Sequence, residues 1–152
     1  MSIADFLDPK AIKIGLEGET KQQVLQELVD ILESVRKVGD KSKILQSLVE
    51  REALGSTGIG QRIAIPHAKV DHINKLVAVL GVSHKGINFD SLDGESVHII
   101  FLYLEPKGAI DQHLIQLGKI FRLLRKASFC KQLKGCKTAE EAFNLIKDVD
   151  EK

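Results

Sequence analysis

The chain has 152 residues, 43% of them hydrophobic, and its 22 basic and 21 acidic residues nearly cancel. This length suffices for one compact core, so residues 1–152 are expected to form a single domain, and the balanced charge does not indicate nucleic acid as a partner. The first residues, MSIADFLDPK, lack a basic start followed by an apolar run. No stretch approaches the roughly 18 apolar residues of a membrane span, so we expect a cytoplasmic protein without direct membrane insertion.

Two amphipathic helices are predicted near the start of the chain. The segment ETKQQVLQELVDILES, residues 19–34, has apolar residues at three-and-four spacing, and Thr20 and Gln23 form a capping-box pattern. The segment DKSKILQSLVEREALG, residues 40–55, repeats this spacing, with Asp40 as the N-cap and Gly55 as the stop. The second helix therefore leads directly into a glycine-rich stretch.

Three strands are predicted in the middle of the chain. They are RIAIPH (62–67), KLVAVLGVSH (75–84) and SVHIIFLYLEP (96–106), which are short, rich in Val and Ile, and bounded by turn residues. The last two are continuously apolar, which is typical of strands covered on both faces.

Helical spacing returns in AIDQHLIQLGKIFRLLRKA (109–127) and in TAEEAFNLIKD (138–148), where Thr138 and Glu141 form a second capping box. Helices on both sides of a run of strands predict an α/β sandwich. We expect a mixed central β-sheet flanked by helices on both faces.

The stretch GSTGIGQRIAIPHAK, residues 55–69, first suggests a nucleotide loop. A P-loop requires Gly-Lys-Ser/Thr entering a helix, but here Gly60 is followed by Gln61 and Arg62. Tyr103 and Lys107 have the spacing of a short-chain dehydrogenase pair, but Pro106 between them disfavours the helix that this pair needs. No cofactor is expected.

The sequence gives little support for a metal site. His67, Asp71 and His72 lie close together in sequence, but they match neither the H-E-x-x-H pattern nor a Cys/His framework. Cys130 and Cys136 form no C-x-x-C pair, and we interpret them as buried or half-buried thiols. We therefore assign no metal.

His67 is the strongest candidate for chemistry. Strand alternation places Ile63, Ile65 and His67 on one face, and Pro66 restricts the backbone just before the histidine. Such a residue either packs at a strand end or offers a ring nitrogen that attacks phosphorus. Position alone favours the packing interpretation.

Residues near His67 in sequence fit a phosphoryl group. The loop offers hydroxyls and glycine-permitted backbone N–H groups at Ser56, Thr57, Gly58 and Gly60. Arg51, at the end of the second predicted helix, is the candidate for a guanidinium aimed at the same anion, or else it is a solvated charge.

His113 lies at the edge of the apolar stripe of the helix predicted over 109–127. It is either a core histidine or a second histidine of the phosphate pocket.

Basic residues accumulate between Gln112 and Ala139, where no acidic residue occurs. A solvated helix face is the favoured interpretation, and docking of an acidic partner remains open. No aromatic residues interleave for base stacking, which disfavours nucleic acid. The basic residues are Lys119, Arg122, Arg125, Lys126, Lys131, Lys134 and Lys137.

REALGSTGIG followed by AIPHAK, and then DQHLIQLGKIF, resembles the enzyme IIA domain of the mannitol and fructose type in the bacterial phosphotransferase system. The free-standing nitrogen-regulatory branch is the most similar, and the resemblance covers nearly the whole chain. It implies a mixed sheet flanked by helices and a phosphoacceptor at His67, carrying tele-phosphohistidine. It also implies a supporting role for His113 and phosphate stabilisation by Arg51.

By the same resemblance, a histidine-containing phosphocarrier protein is the donor, and an enzyme IIB component or a regulated target protein is the downstream partner. The chain would then be a phosphotransferase component acting in sugar uptake or in nitrogen or potassium regulation. The alternative is a non-catalytic binding module whose partner is chosen by phosphorylation of His67.

The sequence departs from the family pattern at one position. Relatives commonly carry Gly before IAIPH, whereas this chain has Arg62. Alternation points Arg62 away from His67, so we expect an effect on recognition of the donor rather than on the chemistry.

Overall fold

The computed structural model describes residues 3–108 and 114–150. Short 3-10 turns at Ile3–Asp5 and Pro9–Ala11 precede the first strand. The strands are β1 (Ile12–Ile14), β2 (Gly58–Gly60), β3 (Ile63–Ala64), β4 (His67–Val70), β5 (Val77–Ile87) and β6 (Val97–Pro106). The helices are α1 (Lys21–Val35), α2 (Lys41–Ala53), α3 (Leu114–Leu124), α4 (Ala127–Gly135) and α5 (Ala139–Asp150).

The strands form one mixed sheet in the order β1-β5-β6-β3-β2, with β4 also paired to β6. Pairing is antiparallel between β5 and β6 and between β2 and β3. It is parallel for β1 with β5 and for β3 and β4 with β6. This arrangement confirms the predicted mixed sheet.

The central strands are buried on both faces, because their side chains alternate between two hydrophobic cores. In β6, Phe101 and Tyr103 belong to the core on the side of α3, α4 and α5, whereas Ile100 and Leu102 belong to the core on the side of α1 and α2. The prediction of helices on both faces of the sheet is therefore confirmed.

Local signals set the starts of the first two helices. The Thr20 hydroxyl accepts a hydrogen bond from the Gln23 backbone N–H at 3.2 Å, and the Gln23 side chain accepts one from the Thr20 N–H at 3.3 Å. The Asp40 carboxylate accepts a hydrogen bond from the Ser42 N–H at 2.9 Å, so both predicted caps are present.

The prediction of RIAIPH as one uninterrupted strand is wrong. Strand β3 ends at Ala64 and β4 begins at His67, with Ile65 and Pro66 between them outside any strand. Pro66 has no backbone N–H to donate to a ladder, which explains the interruption. Both strands nevertheless pair with β6 in one continuous register, as Ala64 opposite Ile100 and His67 opposite Tyr103 show.

Two further strands and one helix, β1, β2 and α4, were not predicted. Strand β2 lies within the glycine-rich stretch that was interpreted as a loop. The short strand β1 pairs only with β5 among the described residues, so no local pattern announces it. Helix α4 is separate from α3 because Lys126 adopts an extended conformation, with ψ of 111°. Residues 109–113, predicted as the start of the helix that became α3, lie outside the described residues.

No helix within 3–108 and 114–150 has the length and hydrophobicity that crossing a membrane requires.

Candidate functional site

A cleft of about 520 Å³ opens at the point where β4 begins. Its walls come from the end of α2, the loop and hairpin that follow it, the β3–β4 segment, β6 and the end of α3. The lining side chains that matter for chemistry are Arg51, Ser56, Thr57, His67, Tyr103 and Arg125.

His67 is the first residue of β4 and is half-buried. Its Nδ1 lies 2.9 Å from the backbone carbonyl oxygen of Ile65. A carbonyl oxygen only accepts hydrogen bonds, so Nδ1 carries the hydrogen and donates it. In the neutral ring the lone pair therefore resides on Nε2, the nitrogen through which a bond to phosphorus would form.

Tyr103 fixes the plane of the His67 ring. The two rings are stacked, with centroids 5.0 Å apart and an interplanar angle of 5°. Burial, with a smaller contribution from Glu105, raises the pKa of Tyr103 to about 12 against the weaker opposing effect of Arg51. The phenol therefore remains neutral at physiological pH.

Two arginines reach this cleft. Arg51, near the end of α2, donates from Nη1 to the carbonyl oxygen of Gly55 at 2.9 Å, which holds its guanidinium beside the loop. Arg125 follows the last residue of α3 and lines the same cleft. The sequence interpretation treated Arg125 as part of a solvated face. The sequence did contain a signal for its position. Arg125 lies four residues after Phe121, which also lines the cleft, and residues four apart lie on the same side of a helix.

The predicted loop residues divide into two groups. Ser56, Thr57 and Gly60 line the cleft, whereas Gly58 is absent from its lining. A Cβ at Gly58 would overlap Ser91, so this glycine is required by packing.

The two loop hydroxyls are already engaged in structural hydrogen bonds. The Ser56 hydroxyl donates to the Phe89 carbonyl oxygen, and the Thr57 hydroxyl donates to the Glu52 carboxylate. Glu52 also accepts from the Thr57 N–H at 3.2 Å and pairs with Lys21 at 2.8 Å. These contacts hold the loop in place, and each hydroxyl hydrogen is used within the protein.

Arg62 is absent from the lining of the cleft, but it lies in the turn before β3 and not in a strand, so the alternation argued from sequence does not apply to it. Its Nη2 lies 3.8 Å from the Glu95 carboxylate, and its Nη1 lies 3.5 Å from Nε2 of His98. Gln61 and Arg62 have φ of 56° and 69° in the turn that joins β2 to β3. A two-residue hairpin turn with positive φ at both positions suits the twist of the strands, and glycine is the residue that adopts this conformation most easily.

The remaining features considered from sequence are His113, Lys107 and a metal site. His113 lies outside the described residues. Lys107 pairs with Asp71 at 3.3 Å and is absent from the lining of the His67 cleft, which separates it from Tyr103. Over 3–108 and 114–150, no group of three or more His, Cys, Asp or Glu side chains could hold a metal ion.

The two cysteines are buried free thiols, as predicted, and burial raises the pKa of both Cys130 and Cys136. The Cys130 thiol donates to the Leu124 carbonyl oxygen at 3.1 Å.

Comparison with known protein families identifies the chain as a component of a phosphotransferase system. The family model "Phosphoenolpyruvate-dependent sugar phosphotransferase system, EIIA 2" matches residues 5–149, so the chain belongs to this family. This match confirms the resemblance identified in the sequence.

Named relatives include both regulatory and sugar-specific proteins. The chain is 34% identical over 146 residues to a nitrogen regulatory protein of Bradyrhizobium diazoefficiens, covering 96% of this chain and 95% of that protein. It is 33% identical to the fructose-specific EIIABC component of Bacillus subtilis, covering 99% of this chain but 24% of that longer protein.

A solved structure has the same fold. The nitrogen regulatory protein IIA-Ntr of Neisseria meningitidis superposes with a TM-score of 0.87 at 28% identity, covering 95% of this chain and 98% of that one.

Proposed function

We propose that this protein is a phosphohistidine carrier that accepts a phosphoryl group on Nε2 of His67 from a histidine-containing phosphocarrier protein. The observation that carries the proposal is the hydrogen bond from Nδ1 of His67 to the Ile65 carbonyl oxygen, at 2.9 Å. This bond leaves the lone pair on Nε2, and among the described residues no protein group hydrogen-bonds to that nitrogen. The product is tele-phosphohistidine.

The transfer step balances without a cofactor. The Nε2 lone pair forms a bond to phosphorus while the bond between phosphorus and the donor's histidine nitrogen breaks, and that nitrogen keeps the electron pair. The positive charge on the His67 ring is shared with Nδ1–H, which the Ile65 carbonyl oxygen stabilises. A positively charged ring is also the better leaving group when the phosphoryl group moves on.

The cleft supplies charge for the phosphoryl oxygens. Arg51, which lines the cleft, acts through its guanidinium. His113, which lies outside the described residues, is assigned a supporting role by the family resemblance. Among the loop residues, Ser56 and Thr57 shape the wall, because their hydroxyl hydrogens are already donated elsewhere. Gly60 allows the backbone to approach the phosphate, and Gly58 acts only through packing.

The test is labelling by a phosphorylated carrier protein. Wild-type protein is expected to acquire acid-labile phosphate, and His67→Ala is expected to acquire none, with exposed His84→Ala as the matched control. Phosphorus NMR then assigns the nitrogen. Unchanged labelling of His67→Ala, or phosphate on Nδ1, would overturn the proposal.

For His113, the expected result is slower transfer in His113→Ala with an unchanged melting temperature. Wild-type phosphorylation and dephosphorylation rates in this variant would return His113 to a packing role.

A second candidate function is a binding module whose partner is set by the phosphorylation state of His67. The observation that favours it is that this chain is similar, along nearly the full length of both proteins, to a relative named as a nitrogen regulatory protein. In this case the downstream partner is a regulated target protein and not an enzyme IIB component. Partners captured with phosphorylated protein should differ from those captured with His67→Ala, and identical sets would exclude a switch.

A further inference from the structure

We infer that the cleft is a two-arginine binding site for a phosphate dianion and that Arg125 is its second arm, binding phosphoryl oxygens opposite Arg51. The inference rests on the proposed function for the covalent step but not for reversible binding of the free anion. It assigns a function to a residue that the sequence places among solvated lysines and arginines.

The charge of the lining supports this inference. Two guanidinium groups line the cleft, and no aspartate or glutamate belongs to its lining among the described residues. Within 3–108 and 114–150, neither Arg51 nor Arg125 forms an ion pair. Two unneutralised cations around one cleft attract a doubly charged anion, and the forked donors of a guanidinium match phosphate oxygens.

The two arginines come from helices that pack on opposite faces of the sheet, Arg51 from α2 and Arg125 from the residue after α3. Helix α2, which carries Arg51, packs on the same core as α1, whereas α3 packs on the core shared with α4 and α5. Phe121 and Arg125 both line the cleft, because residues four apart lie on one side of a helix. Phosphate oxygens between the arginines would therefore be bound from two sides, with His67 between them.

The neutral phenol of Tyr103 fits the same site. Tyr103 lines the cleft beside His67, and a neutral hydroxyl does not repel an anion. Among the described residues, the lining of the cleft thus combines two cations with no acidic side chain, and Glu105, which raises the pKa of Tyr103, is not part of that lining.

A cation after the last residue of α3 also interacts favourably with the helix dipole, which is the competing explanation for Arg125. Any cation at this position can fulfil the dipole role, so Arg125→Lys keeps that role and Arg125→Gln removes it. Comparison of the two variants therefore separates the dipole role from binding of phosphate oxygens. Arg122→Gln is the matched control, because Arg122 is exposed on the same helix and absent from the cleft lining.

The first experiment is calorimetric titration of inorganic phosphate into His67→Gln, a variant that cannot be phosphorylated at this position. We expect saturable binding at one site. Adding Arg125→Gln should weaken it by about tenfold, Arg125→Lys by less, and Arg122→Gln should leave it unchanged. No saturable binding, or equal weakening by the Arg122 and Arg125 changes, would overturn the inference.

The second experiment measures transfer from the phosphorylated carrier to the otherwise wild-type chain. Arg125→Gln should lower the transfer rate constant by about tenfold with an unchanged melting temperature, and Arg125→Lys should recover part of it. A wild-type rate in Arg125→Gln would show that Arg125 does not bind the phosphoryl oxygens during transfer, while His67 remained the acceptor. Absence of label on wild-type His67 would instead contradict the proposed function and leave the phosphate titration to decide the inference.

Discussion

His67 and Tyr103 lie opposite each other in the parallel register of β4 and β6, and their rings are stacked at 5.0 Å. The register itself brings the aromatic ring to the histidine, so the orientation of the imidazole depends on the sheet and not on a mobile loop. Tyr103 is also the single tyrosine of a chain that contains no tryptophan. Its ionisation is therefore directly observable.

The tyrosine absorbance should titrate late. Burial raises the pKa of Tyr103 to about 12, so the rise in absorbance near 295 nm should have its midpoint about two pH units above the ordinary value. Spectrophotometric titration of the folded protein provides the measurement. A midpoint near 10 would mean that the ring is not enclosed.

The same shift predicts loss of stability at high pH. Between the ordinary pKa of 10.0 and the raised value of about 12, the unfolded chain releases the phenol proton while the folded chain retains it. The free energy of unfolding should therefore fall as pH rises through this window, and more steeply than in Tyr103→Phe. Equal slopes for the two proteins in urea denaturation would contradict the prediction.

Glu52 should be a major stabilising contact of the loop. Its side chain, 6% exposed, accepts hydrogen bonds from Thr57 and pairs with Lys21. Replacement by alanine leaves these donors without their acceptor, and the free energy of unfolding should fall by about 2–3 kcal/mol. Glu50→Ala is the matched control in urea denaturation.

Glu50 is exposed and accepts one side-chain hydrogen bond from Gln46, so its loss should cost no more than about 0.5 kcal/mol. Similar losses at the two positions would show that the buried contacts of Glu52 add nothing.

Replacement of Arg62 by glycine should stabilise the fold. Its φ of 69° lies in the left-handed region, where a Cβ costs about 1 kcal/mol. Arg62→Ala removes the same side-chain contacts but keeps the Cβ, so the difference between the Gly and Ala variants isolates the backbone. Thermal unfolding should place Arg62→Gly above Arg62→Ala, and the reverse order would refute a strained turn.

Gly58 should tolerate no side chain. A Cβ there would collide with the hydroxyl of Ser91, which is buried and has no hydrogen-bond partner among the described residues. Gly58→Ala should cost about 1–3 kcal/mol of unfolding free energy. Adding Ser91→Gly should recover part of it, and the absence of any recovery would place the collision elsewhere.

The helices with side-chain caps were readable from sequence because their signals are local. The capping pair of Thr20 and Gln23 lies at the start of α1, and Asp40 lies at the start of α2. Each cap bonds to a backbone N–H no more than three residues away. The apolar runs of β5 and β6 also identify themselves, since both faces are covered.

Other features depend on partners that are distant in the chain. The turn at Gln61 and Arg62 lacks the Asn-Gly pattern that announces a two-residue hairpin. Arg125 could be placed on a helix by its spacing, but only the approach of Phe121 on α3 to Tyr103 on β6 shows that this end of α3 borders the cleft. Tyr103 was considered for a different chemistry, and its stacking on His67 follows from a register that sequence does not reveal.

The interruption at Pro66 separates two properties of the cleft. The tautomer of His67 is set within the tripeptide Ile65-Pro66-His67, because the acceptor of its Nδ1 hydrogen is the carbonyl two residues earlier. The arginines around it come from outside this tripeptide, Arg51 from α2 and Arg125 from the residue after α3. The tautomer that leaves the lone pair on Nε2 is thus encoded locally, and the surrounding walls can change without altering it.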